Sequence, residues 1–257
     1  MKSTIFAVAA VFLLAATVNA EPIVAQSYPI NSVLELSAGG GVEIEITQGD
    51  VESLRAEATA EVMKRVNVDQ TNHRLTLKVK SENGNFFHWF DNNNDQVKFI
   101  LQIKQLNYAE FSGATEVTMS NYRGEKLVVK NSGAAQTHFS NLQVNNIAFE
   151  SSGAANVEIQ TLNSQKVDVN LSGASNFEVK KSGVVQQLII EASGASNYAS
   201  KSLVVSNADV QASGASNIEI LVNETLKAGA SGASTIDYYG SAKVTSDSSG
   251  ASHIDGH

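Results

Sequence analysis

Residues 151–179 read SSGAANVEIQTLNSQKVDVNLSGASNFEV. Within this stretch Ser152-Gly153-Ala154 returns as Ser172-Gly173-Ala174. The same tripeptide occurs eight times, with its glycines at Gly113, Gly133, Gly153, Gly173, Gly194, Gly214, Gly232 and Gly250. Successive glycines are 20, 20, 20, 21, 20, 18 and 18 residues apart. A period that regular marks a stacked-repeat architecture, whose units cannot bury their apolar faces alone.

Aligning the units on the glycine gives readable columns. One holds Val117, Thr137, Val157, Phe177, Tyr198, Ile218, Ile236 and Ile254, apolar except at Thr137. Two residues on stand Met119, Phe139, Ile159, Val179, Ser200, Ile220, Tyr238 and Gly256. Apolar residues two apart form the inward face of a strand. Before the glycine, Leu127/Val129, Ile147/Phe149, Val167/Val169 and Leu188/Ile190 give a second strand per unit. Leu142/Val144 and Leu203/Val205 offer a third side. The expected fold is all-β: a parallel β-helix, or solenoid, with coils of about 20 residues. Glycine suits a corner that needs left-handed backbone or close approach, and Ser and Ala beside it keep a tight bend free of volume. Asn156, Asn176, Asn197 and Asn217 would stack as an amide ladder along the rod.

One outward column carries Glu158, Glu178, Glu219, Asp237 and Asp255. Stacked carboxylates repel. A divalent cation with oxygen ligands at Glu219, Asp237 and Asp255 would relieve this. Solvation and the nearby Lys180 and Lys181 would relieve it as well, and we expect no metal and no cofactor.

Residues 21–106 alternate like strands but lack the repeat. Val33 to Leu36, Val42 to Ile46, Ser53 to Glu61, Leu75 to Val79 and Val97 to Ile103 read as half-buried strands. Gly39-Gly40-Gly41 reads as a tight reversal between the first two. These strands should form the first rungs of the solenoid or a sheet covering its open end, since a bare end is a sticky strand edge. Tyr238 and Tyr239, or a partner subunit of a homo-oligomer, would cap the other end. Segment 81–95, SENGNFFHWFDNNND, interrupts the alternation. Its cluster Phe86, Phe87, His88, Trp89 and Phe90 is a candidate binding loop, able to stack on a sugar or enter a partner's pocket. The competing expectation is that these rings plug the solenoid end.

Lys2, the apolar run Ile5 to Val18 and Val18-Asn19-Ala20 form a secretory signal peptide over residues 1–20. The expected organisation is therefore a signal peptide at 1–20, a strand region at 21–106 and a repeat solenoid at 107–257. The absence of cysteine excludes disulfides, thiol catalysis and Cys-ligated zinc. A formal charge of −8 without a Lys/Arg cluster argues against nucleic acid. Nothing after the signal peptide is apolar enough to span a bilayer.

The chain resembles the bacterial autotransporter adhesin family with a head GIN domain. The likeness rests on GGGVEIEITQGDVESLRAEA, RLTLKV and VKFILQI, then on FSGATEV, SSGAANVEI, LSGASNFEV and ASGASNIEI. It extends to the closing Tyr238-x-Gly240 and Ser249-Gly250 units. Gly41-Val42-Glu43 replaces the family's usual Gly-Ile-Asn, and Gln105 stands where a proline commonly precedes the first repeat. The resemblance implies a right-handed β-solenoid, export to the periplasm or cell surface, and an adhesive role.

These readings converge on an exported, non-catalytic module binding a glycan, a cell-envelope polymer or a surface protein. A structural or ice-binding solenoid is the alternative, because the Ser, Ala and Asn columns are flat and regular. A polysaccharide-active enzyme would need paired carboxylates or a basic residue in a cleft. No arginine follows Arg123, no insertion interrupts the repeats to wall a cleft, and no catalytic residue is assigned.

Overall fold

The computed structural model describes residues 22–80 and 96–257. Residues 1–20, expected to be a signal peptide, and the aromatic segment with Phe86 to Phe90 lie outside the described residues. The first part of the chain forms β1 (Ile23–Tyr28), β2 (Glu35–Gly39), β3 (Glu43–Gln48), β4 (Ser53–Thr59), α1 (Ala60–Met63), β5 (Val66–Thr71), β6 (Arg74–Val79) and β7 (Lys98–Ile103). The repeats follow as β8 (Tyr108–Ser112), β9 (Glu116–Asn131), β10 (Gln136–Ser151), β11 (Asn156–Leu171), β12 (Asn176–Ala192), β13 (Asn197–Ala212) and β14 (Asn217–Ala230). The last elements are β15 (Thr235–Tyr239), β16 (Lys243–Ser248) and β17 (His253–Gly256). The whole is a β-solenoid of about 7 turns with roughly 20-residue spacing.

Each full coil has three sides. In β10 the buried residues come in the pairs Thr137/Phe139, Leu142/Val144 and Ile147/Phe149. Within a pair the step is two, as a strand requires. Between pairs it is three, and the odd step turns the chain while keeping the next side's apolar residues inward. The expected second and third sides are thus segments of one bent strand. Neighbouring coils pair in parallel, as in Thr137↔Val157, Leu142↔Leu162 and Ile147↔Val167. The interior fills with rings: Phe149 lies edge-on to Phe177 at 5.0 Å, and Phe177 stacks on Tyr198 at 5.2 Å. Thr137, the polar exception in its column, donates from Oγ1 to Asn131 Oδ1 at 3.0 Å, and both residues are buried. That bond satisfies a hydroxyl whose unpaired burial would cost about 1–3 kcal/mol.

The corner explains its own sequence. Gly173 has φ +74°, and a Cβ built there would sit 2.6 Å from Gly153 O. Gly194 has φ +78°, with Gly173 O at 2.5 Å. Both the left-handed backbone and the neighbour's carbonyl therefore exclude a side chain. The next alanine binds that carbonyl: Ala174 N donates to Gly153 O at 2.7 Å, and Ala195 N to Gly173 O at 2.7 Å. The residue after the alanine closes the turn. Ser175 Oγ donates to Ser172 O at 2.8 Å, and Ser196 Oγ to Ser193 O at 2.7 Å. The corner is thus a four-residue unit, and its fourth side chain is a turn-closing hydroxyl in six of the eight repeats: Thr115, Ser175, Ser196, Ser216 and Ser234, all buried, and the partly exposed Ser252.

The departures from a spacing of 20 are absorbed elsewhere. Ile159 pairs with Val179, but Thr161 pairs with Ser182, so β12 carries one extra residue as a bulge. The first 18-residue coil loses three residues at the corner between the first two sides, where Ser200 pairs with Ile220 yet Val204 pairs with Leu221, and regains one at the next corner, where Val205 pairs with Val222 and Asn207 with Thr225.

The first strands supply both alternatives drawn from the sequence. β2 pairs in parallel with β6 and β8, and β3 with β7 and β9, so they are rungs. Beyond them β4 adds antiparallel to β7, β1 to β4, and β5 to β6. These antiparallel strands cover the end of the stack. Two local expectations are corrected. Gly39-Gly40-Gly41 is not a tight reversal between paired strands: β2 pairs with β6 and β8 and β3 with β7 and β9, and Gly40 sits against Gly113 as an additional corner. The strand expected to reach Glu61 ends at Thr59, whose hydroxyl caps the single helical turn α1 and accepts from Val62 N. The Ala-Glu helix preference wins there because Val62 can be buried. One core runs from Val33 to Ile236.

Candidate functional site

Beside the Ser-Gly-Ala corner a groove of about 840 Å³ runs across the strands, along the axis of the rod. One wall is an outward column that begins Glu110, Lys130, Glu150 and continues through Glu191 and Gln211 to Asp247. These residues are strict register neighbours, with Lys130↔Glu150 and Glu191↔Gln211 as examples. The other wall is the serine that precedes each corner glycine, from Ser132 through Ser172 and Ser213 to Ser249. The floor is Asn131, Ser151, Leu171, Ala192, Ala212 and Ala230. The groove spans eight coils, or about 34 Å at ~4.8 Å per step between strands.

Floor residues point into the stack beside the corner, and from Ala192 onward they are buried alanines. The serine hydroxyls are held loosely, reaching back to the preceding coil at 3.3 Å from Ser193 to Leu171 O and 3.5 Å from Ser213 to Ala192 O. Lys130 Nζ lies 2.6 Å from Glu150, and that hydrogen bond raises the lysine's pKa. Glu110 accepts from the Tyr108 hydroxyl at 3.4 Å, and burial, seconded by Glu110, raises that hydroxyl's pKa.

The acidic column stacks as its spacing predicts, with Glu158↔Glu178, Glu219↔Asp237 and Asp237↔Asp255. Basic side chains stand among the carboxylates. Lys180 lies 2.6 Å from Glu158, Lys201 3.0 Å from Glu219, and His257 3.1 Å from Asp237. The hydrogen bond from Lys180 holds the Glu158 carboxyl below the usual carboxylate range. Among the described residues no group of three or more His, Asp or Glu side chains is arranged to hold a metal ion. The amide column is also in register, Asn156↔Asn176↔Asn197↔Asn217, and Asn217 Nδ2 donates to Asn197 Oδ1 at 3.2 Å. An outward column on the second side turns apolar late in the stack: Val184 (49% exposed), Val204 (37%), Leu221 and Tyr239.

The groove was missed in the sequence because its serines read only as small corner residues. The available signal was a serine before every corner glycine, including positions where alanine would bend as well.

The fold and this arrangement define a β-solenoid with a groove along its axis. The family described as "Putative auto-transporter adhesin, head GIN domain" matches residues 34–242, and the chain belongs to it. A crystal structure of a "putative adhesin" from Parabacteroides merdae has a TM-score of 0.80 at 18% identity, covering 93% of this chain and 97% of its own. One from Parabacteroides distasonis, described as a "putative lipid binding protein", has a TM-score of 0.82 at 16% identity, covering 93% and 98%. A "putative adhesin" from the same species has a TM-score of 0.81 at 17% identity, covering 92% and 98%. At these identities the likeness establishes the fold. No curated protein matches the chain. Among the described residues no helix is long and apolar enough to cross a membrane.

Proposed function

We propose that the protein is a non-catalytic adhesion module, exported by residues 1–20 and acting in the cell envelope or at the surface. Its groove beside the Ser-Gly-Ala corner would hold an extended envelope polymer or a segment of a surface protein. The observation that carries this reading is the groove's continuity over eight coils with a hydroxyl column on one wall. Membership of an adhesin family supports it. Catalysis is disfavoured because the one basic residue lining the groove, Lys130, is engaged by Glu150, and no two groove carboxylates are adjacent in the wall column. Lys130 separates Glu110 from Glu150, Asn170 separates Glu150 from Glu191, and Gln211 and Gly229 separate Glu191 from Asp247. Hydrolysis or elimination of a polysaccharide needs a free acid–base pair.

The test is retention of bacterial envelope fractions on immobilised protein, comparing the native chain with Ser193→Trp/Ser213→Trp. Both serines line the groove and are at least partly exposed, so the indoles would fill it without entering the core. Retention by the native chain and its loss in a variant with unchanged Tm is the expected result. No retention, or equal retention by both, contradicts the proposal.

A further inference from the structure

Resting on the groove as the binding site, we infer that its ligand is a linear, uncharged polysaccharide laid parallel to the rod axis. The first argument is directional. A peptide recognised by strand addition needs free main-chain groups at a sheet edge. Here the groove crosses the strands, and its backbone is already paired coil to coil. Ser152 N donates to Asn131 O at 2.9 Å, Ser172 N to Ser151 O at 2.9 Å, and Ser193 N to Leu171 O at 2.9 Å.

The second argument is periodicity. From Lys130 to Asp247 each coil offers one serine hydroxyl beside a wall residue that is polar except at Gly229, and from Ala192 to Ala230 a small floor residue. Such a surface has no distinct pockets to read a side-chain sequence. It suits a chain that presents the same hydroxyl-bearing unit again and again. Serine hydroxyls both donate and accept, which matches sugar hydroxyls.

The third argument is charge. The walls carry Glu110, Glu150, Glu191 and Asp247 against the single cation Lys130, itself 2.6 Å from Glu150. An anionic polymer would be repelled, whereas hydroxyls can donate to these carboxylates. Glu191 and Asp247 are separated in their column by Gln211 and Gly229, so they form no paired seat for an amine.

The test is calorimetric titration of the mature chain with linear oligosaccharides of increasing length. A neutral panel of glucan, mannan, xylan and chitin oligomers is set against oligogalacturonate, chitosan oligomers and a Ser/Gly peptide. At least one neutral series should tighten with length by about a hundredfold or more, equivalent to two tenfold steps in Kd. Ser193→Trp/Ser213→Trp should abolish that binding. Tighter groove-dependent binding of a charged oligomer or the peptide overturns the inference, as does a neutral panel that does not bind in the groove. If envelope retention stays groove-dependent in either case, the ligand class fails and the adhesion reading stands. If retention does not depend on the groove, both fail.

Discussion

Two corners of the same coil behave differently. The Ser-Gly-Ala corner repeats with the glycine φ between +71° and +78° in all eight units. The corner between the first and second sides takes an extra residue in β12 and loses residues in β14. The difference follows from what each corner packs against. At the first, backbone meets backbone: the glycine of one coil lies against the glycine carbonyl of the last. Nothing there can yield except the main chain. At the second, long exposed side chains such as Lys180, Lys181 and Lys201 surround the bend and can move aside. Register is set at the glycine corner and length is adjusted away from it, chiefly between the first two sides, which leaves the groove beside the glycine corner continuous.

The comparison breaks most visibly at the glycine. Gly173→Ala puts a methyl on Gly153 O in a left-handed conformation, and should cost about 3 kcal/mol or more. Thermal unfolding should show Tm lowered by about 6–12 °C; an unchanged Tm would mean that the corners are not in backbone contact. A smaller loss is expected at the seam where the first strands join the repeats. The buried Tyr122 hydroxyl donates to Leu106 O at 2.6 Å and accepts from Leu106 N at 2.8 Å. Tyr122→Phe leaves two main-chain groups unpaired, so urea titration should show about 1–3 kcal/mol lost. The smallest effect belongs to the adjustable corner. Glu158 has its pKa lowered, chiefly by the hydrogen bond from Lys180. A lowered carboxylate pKa gives stability that is present above the unfolded-state value and lost as pH falls through the folded one. The pair should therefore add no more than about 1 kcal/mol at neutral pH, fading below the ordinary value of 4.5. Lys180→Met should flatten that part of the acid limb in a stability–pH profile; an identical profile would remove the pair from the account.

Much of this was legible because the repeat forces like residues to stack. The columns through Val157 and Ile159 are buried as their spacing implies as far as Ile236 and Ile220, and the asparagines and carboxylates stand in register. What failed to show depends on contacts that spacing alone does not encode. Thr137 looked like a flaw in its column, since its partner Asn131 belongs to another side of the coil. The closing hydroxyl of Ser175 or Ser196 was passed over, although a hydroxyl or alanine follows the tripeptide in every unit. Three glycines at 39–41 suit a hairpin and a solenoid corner equally, and only the pairing of β2 with β8 decides between them. That β6 and β7 lie outside β2 and β3, against chain order, has no counterpart in residues 21–106, where no period exists to follow.

The most direct measurement is thermal unfolding of two single-residue deletions about half a coil apart. Deleting Lys181 removes the extra residue of β12 and returns that unit to the spacing of 20 seen before it. Deleting Ser193 takes a residue from the corner itself and slips one strand against its neighbours, which turns its apolar side chains outward. We predict that the first variant melts within about 4 °C of the native chain, a change of roughly 1 kcal/mol, and that the second does not fold. Equal losses in the two variants, or a larger loss on deleting Lys181, would contradict the division between a fixed corner and an adjustable one.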